Sequence, residues 1–176
     1  LARLGAAAAG DAEAQRTVQL LGAEIALLER NPAQALQALG AEGGRAPAAA
    51  ERRPDLLLWA QARLQAGGGG LGDVAQRLQA WVVAHPRDAL VWQQLSTVQG
   101  AMGLPVQAAR SGGEARAAQL DYQAALDRFK AAQDLLRKNP PARGGNDYIE
   151  ASIIDLRTRE LETRVRELAR EQALER

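Results

Sequence analysis

Proline and glycine break this chain at short intervals, and the stretches between the breaks carry helical rather than strand periodicity. The cuts fall at Asn31–Pro32, across GAEGGRAPAAAERRPD (40–55), at the glycines 67–70, at HPRD (85–88), at GLP (103–105) and at NPPARGGN (139–146). Proline is suited to the first turn of a helix but not its interior, and glycine weakens a helix interior, so each cut ends one helix and lets another begin. The pattern predicts helices over 11–30, 32–39, 56–66, 71–85, 89–102, 105–120 and 122–138, and an eighth opening at residue 147. In the fourth, Leu71, Val74, Leu78, Trp81 and Val82 recur at the spacing of one helical face. No segment alternates cleanly between apolar and polar residues, as a half-buried strand does. The chain holds 38 alanines against six aromatic residues. Alanine is the best helix former because it gives up no side-chain entropy, and a core built from it packs helices closely. The expected class is all-α.

Charge and composition remove several functions. Lys+Arg is 22 and Asp+Glu is 21, a formal net charge of +1, so there is no general pull toward nucleic acid or anionic membrane. The absence of cysteine excludes disulfides, thiol catalysis and cysteine-based metal sites. No apolar run approaches the ~20 residues of a membrane span, so no direct membrane span is expected. The chain begins at Leu1 rather than Met, and residues 1–10 read as the remnant of a preceding segment.

The breaks also carry a repeat. After Pro86 come Trp92, Leu95, Ser96, Gly103 and Ala108; Trp59 precedes Trp92 by 33 residues, and Ala75 follows Trp59 by 16. In LDYQAALDRFKAAQ, Tyr122, Ala125, Phe129 and Ala132 follow one another in steps of three, four and three, which puts them on one helical face. These are the large, Leu, small, Gly and Ala positions of a 34-residue helix-turn-helix pattern, and they resemble the tetratricopeptide repeat. Gly112 stands where that pattern has an aromatic residue, and the pair before residue 50 is degenerate. The resemblance implies a right-handed α-solenoid of antiparallel helix pairs over 11–138, a Pro/Gly loop at 139–146 and a C-terminal capping helix over 147–176. In such repeats the first helix of each pair lines a concave groove. Counting from Trp59 and Trp92, its inward positions are Leu57, Ala60, Leu64, Leu90, Gln93, Thr97 and Ala101. That surface is mildly apolar with few charges, suited to an extended or unfolded polypeptide rather than to an acidic tail.

The residues that invite a catalytic reading have structural ones beside them. His85, the single histidine, stands before Pro86 at a helix end, where the helix dipole favours a cation; no HExxH or ligand spacing accompanies it. The glycines 67–70 follow no strand and precede no GK[ST], so they predict a slack turn rather than a phosphate loop. In DYIEASIIDLRTRELE, Asp147 and Glu150 have the three-residue spacing of a capping box. Asp155 lies five residues past Glu150, roughly 140° further round the helix, so the two carboxylates do not converge. Ile153 and Ile154 anchor the helix, and Ile154, Leu161, Val165 and Leu168 form its apolar stripe. Asp155/Arg159, Glu160/Arg164 and Glu162/Arg166 predict acid-first i,i+4 pairs on a wet face. An enzyme using Glu150, Asp155 or His85, and a scaffold dimerising through the terminal helix, are the weaker readings. The oligomeric state stays open.

Three stretches carry a more particular likeness. HPRDALVWQQLSTVQGAMG, EARAAQLDYQAALDRFKAAQDLLR and DYIEASIIDLRTRELE, about the last 90 residues, resemble the C-terminal repeat region of periplasmic HExxH zinc metallopeptidases, the β-barrel assembly-enhancing proteases of Gram-negative bacteria. The first 80 residues fit only loosely, as helix pairs. The resemblance implies a periplasmic location and a parent enzyme whose zinc lies in a protease domain outside this sequence. It implies repeats that recruit substrate or outer-membrane assembly partners and pack on that protease domain. HExxH is absent here, so no zinc ligand or catalytic glutamate carries over; no catalytic, cofactor or metal residue is expected in this chain. The alternative is a free-standing repeat adaptor or secretion chaperone with no linked protease.

Overall fold

The computed structural model describes residues 10–41, 46–47, 50–67, 69–138, 140 and 146–174, with side chains of the last stretch from Tyr148 onward. Among the described residues the structure is all α-helical: α1 Ala12–Leu28, α2 Pro32–Ala38, α3 Arg53–Ala66, α4 Leu71–Ala84, α5 Ala89–Ala101, α6 Pro105–Ala118, α7 Tyr122–Lys138 and α8 Asn146–Leu174. Six of these starts have a local cause. Asp11 accepts from the N–H groups of Glu13 and Ala14, Asn31 from Gln34, Asp88 from Val91 and Asp121 from Ala124, which satisfies orphan donors of the first turns. Prolines 32, 54 and 105 sit in first turns where their missing N–H costs nothing. The third helix begins at Arg53, ahead of the predicted residue 56, because RRPD is itself a helix start. The side chain of Asp147 lies outside the described residues, and with it the proposed cap to Glu150.

The chain divides into two compact units, Leu1–Arg77 and Leu78–Arg176, with the division inside α4. In the first, α1 packs on α2 and α3, and α2 on α3. A small cluster of Ala26, Leu27, Ala35 and Ala62 holds them, with Leu36 and Leu58 against it. Gln65 reaches across to donate to the Leu27 carbonyl (3.2 Å).

In the second unit α5 packs on α6, α6 on α7 and α7 on α8. The middle of α6 is made to be crowded: Ser111, Gly112 and Gly113 are all buried. A Cβ on Gly113 would stand 2.6 Å from the Phe129 ring of α7, and one on Gly112 would stand 3.2 Å from the Ser96 hydroxyl of α5. An aromatic at 112 has no room there. Phe129, itself fully buried, fills space against α6 from the neighbouring helix instead, a burial worth about 1.5–3 kcal/mol. Between α5 and α6, Ser96 donates to the Ala108 carbonyl and Ser111 to Gln99 Oε1, each at 2.7 Å. These two buried or half-buried hydroxyls are thereby satisfied.

Ala125, Leu126, Phe129 and Ala132 of α7 share a core with Ile154 and Leu161 of α8, and Tyr122 and Val165 pack at its edge. Gln133 donates to Asp155 and Lys130 pairs with Glu162, while Arg164 lies over the Tyr122 ring. These contacts run in opposite directions along the two helices, so α7 and α8 are antiparallel. The charges of α8 do not form the acid-first pairs predicted from spacing. Arg157 instead grips Glu114 of α6 with two bonds, Nε to Oε1 at 2.8 Å and Nη2 to Oε2 at 2.7 Å, and reaches Glu160 with Nη1. Arg164 pairs with Glu167, and Arg166 Nε donates to the backbone carbonyl of Glu162. Groups on neighbouring helices take Arg157, Asp155 and Glu162, and i,i+3 neighbours take Glu160 and Arg164, in place of i,i+4 partners worth only roughly 0.2–0.5 kcal/mol.

Candidate functional site

The face that merits functional attention is the outer side of α5. Its sequence, ALVWQQLSTVQGA, contains no charged residue. The inner side is occupied: Val91, Trp92, Leu95 and Val98 are buried. The start of the helix is braced from several directions. Trp81 Nε1 donates to Asp88 Oδ2 (3.0 Å), Trp92 Nε1 donates to the Pro86 carbonyl (3.0 Å), and Arg110 lies 5.9 Å from the Trp92 ring centre. A helix so fixed presents its other side as a rigid surface. That side carries Leu90, half exposed at 50 %, with Gln93, Thr97, Gly100 and Ala101. The Thr97 hydroxyl donates to the Gln93 carbonyl of its own helix (3.0 Å), so the exposed Gln93 amide is the main polar group of the strip.

The groove positions on α3 do not behave alike. Leu64 is half-buried, but Leu57 is 8 % exposed and Ala60 is fully buried. Both side chains are taken up by packing around α3. The reason is that α3 is covered on more than one side, with Asp55, Leu56, Leu57, Trp59, Ala60 and Ala62 all buried. Spacing from a tryptophan identifies a face only when one face is buried. Gly100 was missed in the sequence; its place between Thr97 and Ala101 on a charge-free helix was the available signal.

The residues that invited catalysis are separate and engaged. His85 stacks on Trp81 with ring centres 4.2 Å apart, and its Nδ1–H donates to the Trp81 carbonyl (3.1 Å). Glu150 pairs with Arg110 at 3.4 Å, Asp155 accepts from Gln133 at 2.8 Å, and Ser152 donates to the Tyr148 carbonyl. No group of three or more His, Asp or Glu side chains among the described residues is arranged to hold a metal ion. Among the same residues, no helix is long and apolar enough to cross a membrane. At the glycine run, Arg63 Nη2 donates to the Gly69 carbonyl (2.6 Å), and Gly70 takes a positive φ of 88° against that guanidinium. The turn is braced rather than slack.

No family model matches the chain, and no curated protein matches it.

Proposed function

We propose that this chain is a protein-interaction module, a tetratricopeptide-like right-handed solenoid of antiparallel helix pairs whose α5 face receives an extended, weakly charged polypeptide. The observation that carries the reading is the charge-free, rigidly held outer side of α5, with Leu90, Gln93, Thr97 and Ala101 exposed together. A flat strip of small and apolar residues admits close approach of another backbone and offers no salt bridge to select an acidic tail. The antiparallel α7–α8 pair and the close approach of α6 to its neighbours support the repeat architecture, although the aromatic of the 34-residue pattern is replaced at Gly112. The likeness of the last 90 residues to β-barrel assembly-enhancing proteases supports a periplasmic setting and a parent zinc metallopeptidase. In that setting the module recruits unfolded outer-membrane substrate or assembly partners and packs on the protease domain. A parent sequence lacking HExxH would instead make the chain a free-standing adaptor.

The test uses a fluorescently labelled, unfolded outer-membrane β-barrel polypeptide titrated with the chain. Leu90→Glu combined with Gln93→Arg is expected to weaken binding at least about tenfold, equivalent to 1.4 kcal/mol, with the circular dichroism spectrum unchanged. Equal affinity of the double variant and the native chain, both folded, would sink the assignment.

A further inference from the structure

Two segments, RRPDLLLW (52–59) and HPRDALVW (85–92), share an Asp, a Leu and a Trp at the same places, yet they start their helices differently. Before α5, Asp88 is the N-cap: its Oδ1 accepts from the Val91 N–H and its Oδ2 from Trp81 Nε1. The carbonyl of Pro86, still outside the helix, accepts from Trp92 Nε1 at 3.0 Å. The counterparts of Pro86, Asp88 and Trp92 are Arg53, Asp55 and Trp59. Here the helix begins at Arg53 rather than at Leu56, the counterpart of Ala89. Asp55 is therefore inside the first turn instead of capping it, buried and paired with Arg16 of α1. Arg52 stands at the N-cap without a side-chain capping bond. The Arg53 carbonyl is now part of the helix and is used by its backbone. Trp59, only 1 % exposed, is left with an Nε1–H that finds no acceptor among the described residues. A buried donor without an acceptor is costly, and nearly all native ones are paired.

We propose that the start of α3 is a two-position switch, held in its longer form by Arg16 of α1. In the shorter form the helix begins at Leu56, as α5 begins at Ala89. Asp55 then caps it by accepting from the Leu58 N–H, and the Arg53 carbonyl accepts from Trp59 Nε1. The two forms are closely matched. The longer one keeps the backbone bond from the Leu56 N–H to the Arg52 carbonyl (3.0 Å) and the next bond along the helix. The shorter one gains a capping side chain and satisfies the buried indole. What decides between them is the partner of the Asp55 carboxylate: Arg16 draws it toward α1, and the Leu58 N–H draws it back to its own backbone. Burial gives that choice its weight, because a buried carboxylate needs a partner in either form. The deciding contact lies on a lightly held helix, since α1 joins its neighbours through the small cluster of Ala26, Leu27, Ala35 and Ala62. Movement of α1 is thereby coupled to where α3 begins, a small displacement read out as a change between two discrete arrangements.

The experiment reads the backbone and indole resonances of the full chain by NMR, with the Trp59 indole signal assigned through Trp59→Phe. In the native chain the Cα shifts of residues 53–55 should be helical. Asp55→Asn removes the charge that Arg16 holds but keeps a side chain that caps well. Residues 53–55 are expected to lose their helical shifts in that variant, and the Trp59 indole proton to move downfield as it gains an acceptor. Asp55→Ala removes the charge and the cap together, so residues 53–55 should stay helical. Both variants lose the same pair with Arg16, and a general loss of stability cannot imitate the contrast between them. Arg16→Gln is the second route: it leaves the Asp55 carboxylate in place to cap, and should match Asp55→Asn. Helical shifts kept at residues 53–55 in Asp55→Asn or in Arg16→Gln, or lost in Asp55→Ala, would overturn the proposal.

Discussion

A methyl group added at Gly113 would meet the Phe129 ring edge at 2.6 Å, closer than carbon atoms tolerate, and the ring is fully buried and cannot swing away. Gly113→Ala is therefore expected to destabilise the chain by about 1–3 kcal/mol through overpacking, despite the better helix propensity of alanine. Gly100 provides the opposite case. It lies in α5, exposed, with nothing within 4 Å of an added Cβ, so Gly100→Ala should stabilise by roughly 0.4–1 kcal/mol through the unfolded state. Urea unfolding of both variants checks the pair; opposite signs are expected, and a shared sign would show that propensity and not space governs these positions. At this scale the sequence was only partly legible. Two adjacent glycines in α6 announced a departure from the repeat pattern at 112. That the gap belongs to Phe129, sixteen residues on, depends on how α6 and α7 are rotated against one another, which spacing along one helix does not contain.

The helices themselves were legible because the signals that begin and end them are local: Asp11, Asn31, Asp88 and Asp121 cap in place, and prolines fill first turns. The partners of α8 were not, because Glu114 and Arg157 are 43 residues apart. Arg157 is about one-third exposed and Glu114 less than that, so the two-bond clamp between them is better shielded than a surface pair. Arg157→Met should cost about 1–3 kcal/mol, since it leaves the Glu114 carboxylate without its bonds. Arg137→Gln, which removes an exposed pair with Asp134, should have no measurable effect. Hydrogen bonding to Glu114, the largest influence, raises the Arg157 pKa above its ordinary value. A raised folded pKa means the contribution is complete below the ordinary arginine value and is lost only as pH climbs through the higher one. Between about pH 6 and 9, below the ordinary arginine range, the cost of Arg157→Met should stay constant. A cost that vanished at pH 9 would contradict the clamp.

The contacts that hold α1 and α2 differ from those that hold α7, and that difference reaches the molecule's dynamics. The cluster joining α1, α2 and α3 consists of three alanines and Leu27, with Leu36 and Leu58 beside it. The cluster joining α7 and α8 contains Leu126, Phe129, Ile154 and Leu161, and Tyr122, Leu136 and Val165 pack on it. At about 0.8 kcal/mol for each buried methylene, an alanine contributes far less than a leucine or phenylalanine, while the backbone ordering cost per residue is similar. The first two helices should therefore open more readily than α7. Amide hydrogen exchange of the native chain is expected to show α1 and α2 exchanging well ahead of α7, with residues 125–132 the slowest region. Exchange in α7 as fast as in α1 would show that the alanine packing of α1 and α2 is no weaker, and the ranking drawn from side-chain size would fall with it.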